Sequence, residues 1–256
     1  MKRWRYAAAV GLAAAGVVGA NAPASAALQI AAKIGSTTFF CLDNTACDSN
    51  PAVGTIDLTG GLVNGVSVGF SEETSTGTPA TPGDDLLSNS SLRIINTNAT
   101  PVTITVAVSD TDFTAPVTSF GTATAGVWQH QTGHSGAAKG SSIVLNWYVD
   151  ALDAQGASNP FNTPGTLVDT YSNTATTDPA SFNYTSSVNW LLNGPFSMTE
   201  QAVITLKGHA ELLNYGQTEV GTAAPEASTW AMLSLGFAGL GYAGLRSKRQ
   251  SRALSV

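Results

Sequence analysis

The chain has 256 residues, of which 43% are hydrophobic and only 11% charged, with 11 Lys and Arg, 17 Asp and Glu, and two cysteines. This balance excludes a basic nucleic-acid binder, a disulfide-dense mini-protein and a polytopic membrane protein. Normal apolar content and modest net charge exclude a disordered chain, and the length fits one globular domain with short appendages. The charge is unevenly placed. Lys2, Arg3 and Arg5 begin the chain, and Arg246, Lys248, Arg249 and Arg252 close it. Between them, residues 27–224 hold four basic residues (Lys33, Arg93, Lys139, Lys207) against sixteen acidic ones, a formal charge of −12. Such a surface repels nucleic acid and anionic lipid and suits a solvated protein outside the cytoplasm.

At the start, a basic stretch precedes residues 7–20, which are Ala, Val, Leu and Gly only. Ala24 and Ala26 then place small side chains at the −3 and −1 positions of a cleavage site. Residues 1–26 read as a secretory signal peptide removed before Ala27. Export sets a redox context in which a disulfide persists. Cys41 and Cys47 enclose five residues, and in an exported chain two cysteines so close pair. A redox or metal pair is the alternative, and it has neither CxxC spacing nor a further soft ligand nearby.

Residues 27–215 read as all-β. Val102, Ile104, Val106 and Val108 alternate with Thr103, Thr105 and Ala107, and Ile143, Leu145, Trp147 and Val149 repeat the pattern. Further strand candidates are 28–34, 53–58, 62–70, 91–96, 186–192 and 201–206. Asn50-Pro51, Gly60-Gly61, Thr81-Pro82-Gly83, Asn159-Pro160 and Asn193-Gly194-Pro195 punctuate them. The expected fold is an antiparallel β-sandwich, jelly-roll-like, between a signal helix and a C-terminal transmembrane helix. Residues 72–85 read as a loop and 216–224 as a linker.

Chemistry is sparse in this middle. Asp43, Asn44, Asp48 and Asn50 crowd one loop, and Asp110 and Asp112 follow a strand. Such oxygens hold Ca²⁺ in some loops and simply cap turns in others, and the spacing is not that of an EF-hand. His130 and His134 flank Gly133, so the one-face argument for a helical metal pair fails, and no metal site is assigned. No GxSxG is present. Glu200, Glu211, Asp150 and Asp153 are the carboxylates a glycosidase would need across a cleft, but nothing in the sequence makes them face one another. Exposed aromatics stack on sugar rings; Trp128 and Tyr148 are the candidate sugar contacts, whereas Trp147 follows the apolar face and reads as core. No cofactor is implied.

The C-terminus carries the most specific signal. Pro225, Glu226, Ser228, Thr229, Trp230, Ala231 and Met232 precede an apolar run, residues 230–245, closed by Arg246, Lys248 and Arg249. Trp230 suits an interfacial anchor, and the basic cluster stays cytoplasmic as a membrane stop. Residues 225–252 resemble a PEP-CTERM sorting signal of Gram-negative bacteria, also labelled an ice-binding protein C-terminal motif. The pattern usually has a second proline where this chain has Ala227. The resemblance implies an inner-membrane precursor, a membrane-embedded exosortase as partner, and delivery to the envelope surface or medium, in a setting linked to exopolysaccharide and biofilm. The function expected is a non-catalytic envelope or extracellular-matrix protein. The alternative is a carbohydrate-binding module at the same place with extracellular polysaccharide as partner, and a third reading is a secreted hydrolase. Intact mass of the protein recovered from its host should match a start at Ala27, an end near Pro225 and the loss of two hydrogens. A chain running through Val256 would count against sorting.

Overall fold

Alternating side chains over 102–108 and 143–149 need two partners each: strands beside them and a second apolar surface to cover one face. The computed structural model supplies both. It describes residues 28–221, apart from 76–85, 114–116, 155–160, 162, 164 and 193. The signal segment with its cleavage site at Ala24, Ala26 and Ala27, and the tail with its sorting motif and basic stop, lie outside the described residues.

Among the described residues twelve strands follow in order: β1 (Gln29–Ile34), β2 (Thr37–Leu42), β3 (Thr55–Val63), β4 (Val66–Ser75), β5 (Leu86–Asn96), β6 (Val102–Phe113), β7 (Val117–His130), β8 (Ser142–Asp150), β9 (Thr166–Thr174), β10 (Ala180–Leu192), β11 (Phe196–Leu206) and β12 (Ala210–Gly221). One sheet has the order β2-β1-β6-β11-β8-β9, the other β10-β7-β12-β5-β4-β3. All pairings are antiparallel. Within β5–β12, the outermost strands in sequence pair (β5 with β12), then β6 with β11, and β8 with β9 innermost. β7 pairs with β10 in the same nested series. Consecutive strands β5 to β8 switch sheets at each step. This is a long hairpin rolled on itself, a jelly roll. The hairpins β1–β2 and β3–β4 extend the two sheets on the same side of it.

The two inner faces form one core. Ile104, Val106 and Val108, Ile143, Leu145 and Trp147, and Ala202 and Ile204 face Ile94, Phe120, Trp128 and Leu212. Most expected strands are present: 28–34 holds β1, 91–96 is the end of β5, 186–192 the end of β10 and 201–206 lies in β11. The division of 53–70 differs: Gly60-Gly61, expected as a break, lies within β3, and the turn falls at Asn64 and Gly65, both at positive φ, inside the expected 62–70 strand. β2, β7, β9 and β12 went unread. β7 turns Thr122, Thr124 and Gly126 into the core beside Phe120 and Trp128, so its inner face is not an apolar pattern. The loop expected at 72–85 begins later, because β4 runs to Ser75. The sandwich also reaches beyond 215, since β12 continues to Gly221 between β5 and β7. Gly, Gln and Thr at 216–218 read as linker, but a strand paired on both sides tolerates them.

Gly126 shows how tightly neighbouring strands of the second sheet pack on its inner face. A Cβ built there would lie 2.3 Å from Cζ of Phe182 and 2.9 Å from the Leu213 carbonyl oxygen. Phe182 is itself wedged against Trp128, with ring centroids 5.6 Å apart. Gly126→Ala should therefore destabilise the domain by about 1–3 kcal/mol through overpacking, read as a lower denaturant midpoint with an unchanged slope.

Candidate functional site

The side chains of the first sheet that turn away from the core form registered rows. The first runs Leu42, Gln29, Ser109, Thr199, Tyr148 and Leu167 across β2, β1, β6, β11, β8 and β9. The second runs Phe40, Ala31, Ala107, Gln201, Asn146 and Thr170. A third holds Thr38, Lys33, Thr105, Val203, Val144 and Ser172. Strands stand about 4.8 Å apart, so each row spans roughly 24 Å.

This face has a floor and rims. Ala31, Ala107, Ser109, Thr199 and Gln29 are buried although they point away from the core. Phe40, on the β2 side, is exposed, and Tyr148, on the β8 side, is half-buried. Between them the polar groups are ordered by their own contacts. Thr199 Oγ1 donates to Ser109 Oγ at 3.0 Å. Thr170 Oγ1 donates to Asn146 Oδ1 at 2.9 Å, which leaves the Asn146 amide N–H groups for a ligand. Gln29 Oε1 is buried with no hydrogen-bond partner. A buried acceptor left unpaired costs about 1–3 kcal/mol. The arrangement offers amides and hydroxyls over a small-residue floor, with one aromatic at each side. That is what a polyhydroxylated, weakly apolar ligand requires.

Of the two expected sugar contacts, Tyr148 belongs to this face and Trp128 does not. Trp128 is fully buried, its Nε1 donates to Asn173 Oδ1 at 3.0 Å, and no sugar reaches it. Even spacing from Phe120 and Thr122 puts it on the inner face. Trp147 is core, as its alternation implies. Tyr171 and Tyr184 stack on each other with centroids 4.6 Å apart, and the Tyr184 hydroxyl donates to the Asp169 carboxylate at 3.1 Å. The contributions of Gln29, Gln201 and Thr170 were not read from the sequence. A strand-by-strand alternation identifies which residues face out; only the sheet order tells which of them meet.

The other candidates are accounted for by local contacts. Cys41 and Cys47 form a disulfide. Asp48 Oδ1 accepts the Asn50 and Asp57 amides, its Oδ2 accepts the Asn44 amide, and Asp43 Oδ2 accepts the Gly54 amide. These carboxylates cap turns. His130 Nδ1 lies 2.9 Å from Asp178 Oδ1, whereas His134 stacks on His209 at 3.8 Å. Gly133 and Gly136, at φ +88° and +84°, turn the loop so that the two histidines part. Glu200 faces the core beside Trp147, while Glu211 meets Arg93 on the outside of the other sheet, so they share no cleft. Among the described residues no group of three or more His, Cys, Asp or Glu is arranged to hold a metal.

Carboxylates gather at one end of the sandwich. Burial pushes Asp110 up to about 6, with the negative charges of Asp112 and Asp43 adding to it and hydrogen bonds from Ser75 and Thr111 opposing it. Burial likewise raises Asp153; its hydrogen bond from the Asp112 amide opposes the rise, and the charges of Asp112 and Asp150 add to it. At the far end, burial pushes Asp178 up, but the hydrogen bonds from His130 and the Ala138 and Gly136 amides and the His130 charge outweigh it, and the net direction is down.

No family model and no curated protein matches the chain. Among solved structures, it is similar to TmCBM61 in complex with β-1,4-galactotriose, at 11% identity and a TM-score of 0.32, over 63% of this chain and 86% of that one. It is also similar to the CBM22-1 xylan-binding domain of Paenibacillus barcinonensis Xyn10C, at 16% identity and a TM-score of 0.23, over 68% and 89%. A third is the K2 cleaved adhesin domain of Lys-gingipain, at 12% identity and a TM-score of 0.29, over 70% and 95%. At these scores the likenesses carry no ligand over to this chain.

Asp110 yields a pH dependence whose sign follows from its direction. Its folded value lies above the ordinary 3.8, so the folded state holds more protons than the unfolded one between about pH 6 and pH 4. Stability should rise as pH falls through that window, by on the order of 2–3 kcal/mol. Asp110→Asn should flatten this rise and raise the denaturant midpoint at pH 7. An unchanged pH profile in the variant would refute the assignment.

Proposed function

We propose that this chain is an exported, non-catalytic carbohydrate-binding protein of the cell envelope or extracellular matrix. The outward face of β2-β1-β6-β11-β8-β9 is its binding surface, and an extracellular polysaccharide its partner. The observation that carries the reading is the registered row of Gln201, Asn146 and Thr170 on the outward face, flanked by Phe40 and Tyr148. A glycan lying along the second row would meet Gln201 and Asn146 amides edge-on, and its apolar ring faces would rest on the flanking aromatics. The Cys41–Cys47 disulfide fits an oxidising compartment.

Delivery belongs to the same proposal. The signal segment would export the chain, and the tail from Pro225 to Arg252 would hold it at the inner membrane for an exosortase-type enzyme. The sandwich would then act among the polysaccharides of a Gram-negative envelope. Nothing in this sequence of events calls for turnover of the glycan; the carboxylates that could hydrolyse it are spent on turn caps, the core and an ion pair.

The test is saturable binding of the protein, recovered from its own host, to the exopolysaccharide of that host and to a panel of neutral and acidic glycans. Tyr148→Ala and Asn146→Ala should each weaken binding about tenfold or more, a loss of roughly 1.4 kcal/mol. Arg93→Gln, on the opposite sheet, should leave it unchanged. Absence of saturable binding to the whole panel, or equal binding by the Tyr148 and Asn146 variants, would refute this surface.

A further inference from the structure

Charge in this body is sorted by pole. The strand ends and turns at one pole carry Asp43, Asp48, Asp110, Asp112, Asp150 and Asp153, and no basic residue among the described ones. The opposite pole is built from the turns that join β1 to β2, β3 to β4, β5 to β6, β7 to β8, β9 to β10 and β11 to β12. It holds all three histidines, His130, His134 and His209, together with Lys139 and Lys207. Lys33, next to last in β1, is exposed at the same end. The carboxylate in these turns, Asp178, has a side chain only 2% exposed; it lies 2.9 Å from His130 Nδ1 and accepts the Ala138 amide. Glu211, second in β12, is paired with Arg93 at 2.6 Å. This pole therefore shows solvent its cations and neutral polar groups, with its carboxylates already paired.

The cations are held together by contacts between turns. The Gln131 N–H donates to the His209 carbonyl at 3.0 Å, and the His209 N–H to the Asn98 carbonyl at 3.0 Å. The Lys207 N–H donates to Ser141 Oγ at 3.1 Å. The Lys207 stem passes beside Gly140, the residue after Lys139, with Cε 3.1 Å from where a Cβ there would lie. His134 and His209 stack with centroids 3.8 Å apart and planes inclined by 16°. Two imidazolium charges at that distance repel, and an anion over the pair relieves the repulsion. The two lysines and this histidine pair come from only two turns, 131–141 and 207–209, and form one patch.

A cationic patch selects an anion, and its surroundings narrow the choice. β7 has 14 residues, so at about 3.3 Å per residue the poles stand roughly 40 Å apart. Screening over about 8 Å at physiological ionic strength leaves the acidic pole little influence here. Nucleic acid needs a denser run of cations or aromatic platforms, and the only rings in these turns are imidazoles. An anionic membrane needs apolar side chains to insert, and Ile34, Val66 and Leu206, at the ends of their strands, are buried. The acidic pole of a second copy is a poor match, because its carboxylates are engaged within it. Asp43, Asp48 and Asp150 accept turn amides, and Asp153 accepts the Asp112 amide. A linear acidic polysaccharide spaces its carboxylates a sugar or more apart, with hydroxyls between them. That spacing suits a few cations set among the exposed Thr97, Thr132 and Ser135. We propose that this pole binds the carboxylates of an acidic polysaccharide, with Lys139 and Lys207 as fixed charges and His134 and His209 taking up protons as the ligand binds. The site is separate from the outward face and stands whether or not that face binds glycan.

The test is calorimetric titration of the protein recovered from its host with polygalacturonate, and with the same polymer after methyl esterification of its carboxylates. The acidic polymer should bind saturably and the ester should not bind at this pole. Affinity should fall with added salt and rise on acidification from about pH 7.5 to about pH 5.5, the range in which histidine gains charge. Replacing both lysines, Lys139→Gln with Lys207→Gln, should weaken binding about tenfold or more, and His134→Gln should reduce the gain on acidification. The double substitution should leave any binding of neutral glycans where it was, which separates failure here from failure of the outward face. Absence of saturable binding to polygalacturonate overturns the proposal, as does binding that the double substitution leaves intact. Tighter binding of duplex DNA or of phosphatidylserine vesicles would assign the pole to phosphates and overturns it too. So does self-association that the double substitution abolishes, which would give the pole to the acidic end of a second copy.

Discussion

Everything in this fold depends on the nesting of its antiparallel pairs. β8 and β9 form the innermost pair, and β5 and β12, far apart in sequence, the outermost. Each pair fixes the register of the next through a shared neighbour. β11 is held on both sides, by β6 and β8, and it carries Ala202 and Ile204 inward and Thr199 and Gln201 outward. One register error in β11 would exchange the core and the outward face at once. The outward face is thus a by-product of the same pairing that makes the core, and its rows stay aligned because the core cannot slip.

Much of this was legible from alternation. β6 and β8 combine β-branched residues on one face with polar residues on the other, and both faces were assigned correctly from the sequence. Two of the unread strands, β7 and β9, share a reason. β7 packs Thr122 and Thr124 inward because Asn214 and Asp169 meet them with hydrogen bonds. β9 sends Asp169 and Asn173 inward to partners on β10 and β7. A core satisfied partly by hydrogen bonds does not announce itself by hydrophobicity. Trp128 was misread for the converse reason: an aromatic among Gln, His and Gly looks exposed until Asn173 is placed opposite its indole nitrogen.

The candidate face was less legible than the fold. Tyr148 could be placed outward from its neighbours, but Gln29, Gln201 and Asn146 come from three strands separated by long stretches of chain. Their convergence follows from sheet order, which local patterning does not encode. The small residues are equally mute in sequence. Ala31 and Ala107 read as indifferent strand fillers, yet side by side on β1 and β6 they set the depth of the floor.

The positions of the first and last strands have a geometrical consequence. β1 begins opposite Ser109, near the end of β6, and β12 finishes opposite Ser119, near the start of β7. Both ends of the folded body therefore emerge at one pole, the pole of Asp110 and Asp153. Whatever continues from either end leaves from the acidic pole, and the opposite pole, with His130, His134 and His209, is the part of the body farthest from both exits.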